Sequence, residues 1–121
     1  MKQLMQIIKP AIRPIDLVKY SGASGDFNEV HTVLAKALEK GHPDLLVHGM
    51  FLMGWGSRAI EVWFPDRTLL HFKVRFQAPT YVGTHLIILG ELVAENSGEL
   101  IIKEQNGEIK LKGTFDLKEN D

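Results

Sequence analysis

Asp26 and His31 are the two residues whose types and spacing best fit acid–base chemistry. A carboxylate accepts hydrogen bonds, and an imidazole accepts or donates a proton near neutral pH, so the two can share one water molecule. On a single helix, five residues would separate these side chains by about 140°. Gly25 precedes Asp26 and Asn28 follows it, which favours a turn in which the two groups converge. We therefore predict a loop that carries an acid–base pair; the alternative is that both residues only cap and fill a turn.

A long apolar segment runs from Gly49 to Phe64 and stops at Pro65. It is apolar nearly all round, which predicts a helix over about residues 49–64 that is buried on most sides. One polar stripe interrupts it, formed by Ser57, Arg58 and Glu61. The unpaired N–H groups and the dipole at the start of a helix can hold a negatively charged oxygen, and glycine permits close approach. Gly49 is therefore a candidate hydrogen-bond donor, or else only a tight packing point.

The rest of the chain predicts shorter elements that would position these groups. Alternation of apolar and polar residues after Pro65 indicates strands, and Asn106-Gly107 is a strong hairpin signal. One buried helix against a curled antiparallel sheet is an α+β arrangement. The predicted elements, besides the long helix, are an edge strand at 3–8, a helix from Pro14 to Gly22 or Gly25, a short helix at Thr32–Lys40, and strands at 70–77, 85–94, 99–105 and 108–117.

The composition bounds the class of protein. The chain has 121 residues, which predicts one domain over residues 1–121. A net charge of −1 provides no overall field toward nucleic acid or an acidic membrane surface. The absence of cysteine excludes disulfides, thiolate metal sites and cysteine nucleophiles. We find neither a transmembrane segment nor a signal peptide by pattern, so a cytoplasmic location is the default expectation.

Three blocks of sequence together resemble one known family. The first runs from Tyr20 to His31, the second is Leu46-Val47-His48-Gly49-Met50, and the third, looser block runs from Phe72 to Gly83. They resemble the MaoC-like hydratases and dehydratases, whose pattern is an aromatic residue followed by Ser/Ala-Gly-Asp-x-Asn-Pro-hydrophobic-His. Glu29 departs from this pattern, because the family usually has proline at that position.

The resemblance implies a hot-dog fold and reversible hydration of trans-2-enoyl thioesters to (3R)-3-hydroxyacyl thioesters. Asp26 and His31 would be the catalytic pair, and the Gly49 N–H would polarise the thioester oxygen. Ser57, eight residues beyond Gly49, would steady Asp26, with Asn28 supporting the turn. The resemblance also implies a dimer whose sheets join edge to edge, most simply a homodimer. Coenzyme A or an acyl-carrier protein would carry the acyl group, with no metal or redox cofactor.

Several further residues have two interpretations. His48 is predicted to orient the loop before the long helix, with direct contact to the substrate as the alternative. Lys73 and Arg75 lie on the polar face of a strand and either are solvated or contact a phosphate of the carrier. Met50 is predicted to be core or to touch the acyl chain. The other histidines show no metal-ligand spacing; these are His42, His71 and His85.

Two other functions remain open from the sequence. A hot-dog thioesterase would use the same start of the helix, but water would attack the thioester carbonyl. A non-catalytic subunit of a heterodimeric dehydratase is the second alternative, although the chain retains both Asp26 and His31.

Overall fold

The computed structural model describes residues 1–105 and 107–119, which form three helices, one 3-10 turn and six strands. No helix within these ranges is long and apolar enough to cross a membrane. In chain order the elements are β1 (Lys2–Gln3), β2 (Ile7–Ile8), α1 (Pro14–Ser24), the 3-10 turn (Glu29–His31), α2 (Leu34–Glu39), α3 (Gly49–Trp63), β3 (Leu69–Phe76), β4 (Leu86–Ala94), β5 (Ser97–Glu104) and β6 (Ile109–Leu117).

All described strands join one antiparallel sheet in the order β1-β4-β5-β6-β3, and β2 also pairs with β4. The strict alternation along β6 explains its place inside the sheet, because Leu111, Gly113, Phe115 and Leu117 all point into the core. β5 and β6 form the predicted hairpin, with Lys103 opposite Ile109. Of the predicted turn residues, Asn106 lies outside the described residues.

Helix α3 packs on the inner face of this sheet against β3, β5 and β6. Its buried residues are Leu52, Gly56, Ala59 and Ile60. Gly56 is required by packing, because a Cβ there would lie 2.8 Å from the ring of Phe72. The sheet wrapped around one long helix confirms the predicted α+β hot-dog fold.

The prediction that α3 is buried on most sides is wrong for a single chain. Met50 is 59% exposed and Val62 is 45% exposed. The sheet covers one side of the helix, and little of this chain covers the other. Gly54 lies on the open side with nothing near its Cβ position, so neither a backbone nor a side chain explains this glycine.

The helix that precedes the candidate pair ends as its sequence predicts. Pro14 is its first residue, and Gly25 caps it in the left-handed conformation at φ 79°. That conformation favours glycine, because a Cβ would be strained there. The chain therefore leaves α1 by a sharp turn that leads directly into Asp26.

Candidate active site

Asp26 lies in a loop that hydrogen bonds of neighbouring residues hold in place. Its backbone N–H donates to Ser24 Oγ at 3.1 Å, and its Oδ1 accepts from the Asn28 N–H at 3.2 Å. Asn28 in turn caps the 3-10 turn, since its Oδ1 accepts from the Val30 N–H at 3.2 Å. These contacts turn the second oxygen of Asp26 toward His31. Asn28 therefore supports the turn, as the sequence indicated.

His31 is buried, and its ring faces Asp26. Its Nε2 lies 3.6 Å from Asp26 Oδ2, and its Nδ1 lies 2.6 Å from the carbonyl oxygen of Leu46. A carbonyl only accepts hydrogen bonds, so Nδ1 carries the proton, and Nε2 of the neutral ring is left as the base. The side chain of Asp26 is about half exposed. A water molecule at ordinary hydrogen-bond distance of about 2.8 Å can therefore contact both groups.

Glu29 occupies the first position of the 3-10 turn and is exposed. The first residue of such a turn needs no N–H partner, so a proline is also tolerated there. This departure from the family pattern therefore leaves the local backbone of the site intact.

His48 joins the candidate pair to the start of α3. Its ring stacks on His31 with the centroids 3.6 Å apart, and its Nε2 lies 3.3 Å from the Asp26 carbonyl and 3.1 Å from Ser21 Oγ. Burial and the neighbouring His31 both lower the pKa of His48. The side chain is 2% exposed, which favours the predicted orienting role over contact with a substrate.

Helix α3 begins directly after His48, and no side chain caps its start. Gly49 is its first residue and is exposed, next to His48. A Cβ on Gly49 would lie 3.1 Å from the ring of Phe76. Gly49 therefore lies at an uncapped helix start and close to the Phe76 ring. The sequence did not reveal this aromatic contact. Met50 follows it and is exposed at the same end of the helix.

Other predicted site residues are not brought to Asp26 within one chain. Ser57 is exposed, and eight helical residues place it about 12 Å along the axis from Gly49. Lys73 and Arg75 face away from α3, opposite Thr114 and Lys112 on the outer side of the sheet. Within a single subunit, neither Ser57 nor these two basic residues therefore lie beside Asp26.

Sequence reasoning overlooked two partners of the site. Ser21 is buried on α1 and contacts His48; its spacing of four residues from buried Leu17 was the available signal. The Leu46 carbonyl selects the protonated nitrogen of His31, and a backbone group carries no sequence signal.

Asp26, His31 and His48 offer ligand atoms within 4.8 Å of one another. A metal ion lies in the plane of each imidazole that binds it. The two rings here are stacked with their planes 18° apart, so both nitrogens cannot point at one ion. The arrangement fits proton transfer better than metal binding.

Comparisons with known proteins identify the family of this chain. The family model described as MaoC like domain matches residues 2–113. The chain belongs to the MaoC-like dehydratase family. A mitochondrial 3-hydroxyacyl-[acyl-carrier-protein] dehydratase of Arabidopsis thaliana is 29% identical over 90 residues, covering 73% of this chain and 54% of the relative.

Two further matches to this MaoC-like chain come from Mycobacterium tuberculosis. The 3-hydroxyacyl-thioester dehydratase X is 33% identical over 87 residues, covering 72% of this chain and 29% of the relative. The crystal structure of the ChsH1-ChsH2 complex shares the fold with a TM-score of 0.87 at 22% identity, covering 98% and 95% of the two chains. The MaoC-like chain thus spans about half or less of the two relatives matched by sequence.

Proposed function

We propose that this protein catalyses the reversible hydration of trans-2-enoyl thioesters, or the dehydration of (3R)-3-hydroxyacyl thioesters. The observation that carries the proposal is the Asp26–His31 pair, 3.6 Å apart, beside the uncapped start of α3. Two relatives with dehydratase names support this reaction class. The carrier of the acyl group is coenzyme A or an acyl-carrier protein.

The reaction requires one water, a base, and a proton for C2. His31 Nε2 takes a proton from the water as the oxygen bonds to C3, while the C2=C3 electron pair moves toward the thioester oxygen. The electrons then return to C2, which receives a proton from Asp26 or His31. Both residues end in their starting protonation states, so no redox partner is required.

The negative charge that develops on the thioester oxygen needs a fixed donor. The Gly49 N–H at the start of α3 supplies one in this proposal, and the dipole of the helix adds positive potential. One such donor is typically worth about 2.7–4 kcal/mol in the transition state. The helix carries no acidic residue in its first turn that would oppose this charge.

Substitution of either acid–base residue tests the proposal. Asp26→Asn and His31→Ala should each reduce hydration of crotonyl-CoA by at least about a hundredfold, the usual size of an acid–base contribution. Turnover is followed as loss of the enoyl ultraviolet absorbance, and thermal melting checks that the variants fold. Activity like the wild type in either variant would remove the assignment. Release of free thiol without loss of the enoyl group would instead identify a thioesterase.

The proposal includes a dimer and a cytoplasmic location. The ChsH1-ChsH2 structure contains a complex of two named chains, so a heterodimer is the alternative to a homodimer. If the isolated chain were inactive and became active only with a second chain, it would be the subunit of a heterodimer. Cell fractionation tests the location, because the Arabidopsis thaliana relative is mitochondrial by name.

A further inference from the structure

An open groove lies between α1 and the first two turns of α3. It encloses about 780 Å³, which falls in the range of small-molecule sites. We call it the α1–α3 groove, and its principal lining residues are Lys9, Arg13, Lys19, Tyr20, Phe51 and Trp55.

The rim of the groove is positively charged. Arg13 is paired with Asp16 at 3.2 Å, so these two charges largely cancel. Lys9 and Lys19 form no ion pair with any residue in the described part of the chain. The Lys9 Nζ lies 4.6 Å from the centroid of the Trp55 ring, which holds this ammonium group over the floor of the groove. The groove therefore suits an anionic ligand with a flat or apolar portion.

A row of aromatic contacts connects the groove to the candidate pair. Tyr20 lies edge-on to His48 with the centroids 4.8 Å apart, and Phe51 lies 5.4 Å from Tyr20 and 5.2 Å from Trp55. Trp55 is six residues beyond Gly49, about 9 Å along the helix. A ligand could thus have its reactive end at Gly49 and its anionic end in the groove.

We propose that the α1–α3 groove binds the phosphate-bearing end of the pantetheine arm of the thioester carrier. Lys9 and Lys19 contact the phosphate, and the aromatic floor packs against the arm. This inference rests on the proposed function, because it places the thioester at Gly49. Coenzyme A and acyl-carrier proteins both carry phosphopantetheine, so the recognised chemistry is common to both.

Two lysines on the outer face of the sheet provide the matched control. They are Lys103 on β5 and Lys112 on β6, at strand positions that alternate with the buried residues. The sheet separates these lysines from Asp26 and His31 of the same chain. Removal of two lysines there changes the net charge equally without touching the α1–α3 groove.

The test compares the Lys9→Ala/Lys19→Ala variant with the Lys103→Ala/Lys112→Ala variant. For the first variant, we expect the KM for crotonyl-CoA to rise at least about tenfold while kcat stays within twofold, because only binding of the phosphate is lost. The KM for crotonyl-pantetheine, which has no phosphate, should not change. The second variant should match the wild type with both substrates.

Three results would overturn the groove assignment. The first is an equal rise of KM with crotonyl-pantetheine, and the second is the same rise in the control variant. The third is a rise with crotonyl-CoA but none with crotonyl-phosphopantetheine, which would show that the lysines bind the adenosine end. Crotonyl groups on an acyl-carrier protein then show whether that carrier uses the same groove.

Binding without turnover separates this inference from the proposed function. Calorimetry should detect phosphopantetheine binding to the wild-type protein and about tenfold weaker binding to Lys9→Ala/Lys19→Ala. An inactive wild type that still shows this difference would contradict only the hydratase proposal. If the protein is an active hydratase but the wild type and the variant bind phosphopantetheine equally, only the groove assignment is contradicted.

Discussion

At the scale of single residues, the site depends on the protonation state of His48. His31 and His48 are stacked with their centroids 3.6 Å apart, so a second proton on each ring would bring two positive charges together. Burial and His31 lower the pKa of His48, and its Nε2–H is directed at the Asp26 carbonyl and Ser21 Oγ. These effects favour the neutral form of His48, which holds both members of the pair in position.

This assignment predicts how stability depends on pH. In the unfolded chain, His48 binds a proton near its ordinary pKa of 6.5, whereas the folded protein binds it only at lower pH. The unfolded state thus holds more protons, and the free energy of unfolding must fall as the pH drops through about 6.5. His48→Gln should lose less of its free energy of unfolding than the wild type between pH 7 and pH 5, as measured by urea denaturation. His71→Gln, on the exposed surface of a strand, should show the same dependence of the free energy of unfolding on pH as the wild type. The same pH dependence in all three proteins would contradict the assignment.

Gly49 provides a second prediction for a single residue. Gly49→Ala would place a Cβ 3.1 Å from the Phe76 ring. Phe76 is about half exposed and can move aside, so stability should change little, while crowding at the thioester should lower kcat about tenfold. Gly22→Ala is the matched control, because Gly22 also lies in a helix with nothing near its Cβ position. A lower melting temperature with unchanged kcat would mean that Gly49 serves packing alone.

At the scale of the elements, one buried lysine ties the sheet to the loops of the site. Lys110 on β6 donates to the Pro79 carbonyl at 3.0 Å and pairs with Glu108 at 2.7 Å and Glu104 at 3.0 Å. The Thr80 carbonyl beside Pro79 then accepts from the Val47 N–H at 2.8 Å. Burial opposes a charge on Lys110, but its two glutamates outweigh this effect and raise its pKa. The strand is thus linked to the segment that leads into α3.

Loss of Lys110 should lower the stability of the protein. We expect Lys110→Met to lower the free energy of unfolding by about 2 kcal/mol, since charged hydrogen bonds are lost. Glu104 and Glu108 are partly exposed and can be solvated, which keeps the cost below that of a fully buried pair. Urea denaturation measures the change, and Lys112→Met on the outer face should show none. Equal stability of the two variants would contradict this role for Lys110.

At the scale of the whole molecule, the chain leaves surfaces that a second subunit can cover. The open face of α3 includes Met50, Gly54 and Val62, and β3 forms one end of the sheet. Apolar surface of this kind and an unpaired strand edge commonly mark an interface. This observation agrees with the dimer that forms part of the proposed function.

A single glycine tests that interface. Gly54→Arg should fold as a monomer, because nothing in the chain lies near its Cβ position, yet the added side chain would block a partner on α3. We expect sedimentation to show dissociation and the activity per chain to fall at least about tenfold. Gly22→Arg, also at an open helical position, should remain dimeric and active. A dimeric and active Gly54→Arg protein would place the interface elsewhere.

The sequence by itself determined the features that depend on neighbouring residues. Gly25 and Asn28 predicted the turn at Asp26, Gly49 and Pro65 bounded α3 to within about a residue, and alternation predicted β6. The fold class was confirmed for the same reason, since periodicity reports which face of an element is apolar. The family resemblance added the roles of the paired residues, which spacing alone left open.

Only the tertiary structure decided which groups meet across the chain. The Leu46 carbonyl selects the proton of His31, the ring of Phe76 lies on Gly49, and the side of α3 opposite the sheet remains open. Counting placed Ser57 at the family spacing, but the rise of the helix carries it away from Asp26 within one subunit. A local pattern indicates the direction of a side chain along its own element. The group opposite that side chain depends on how distant segments pack.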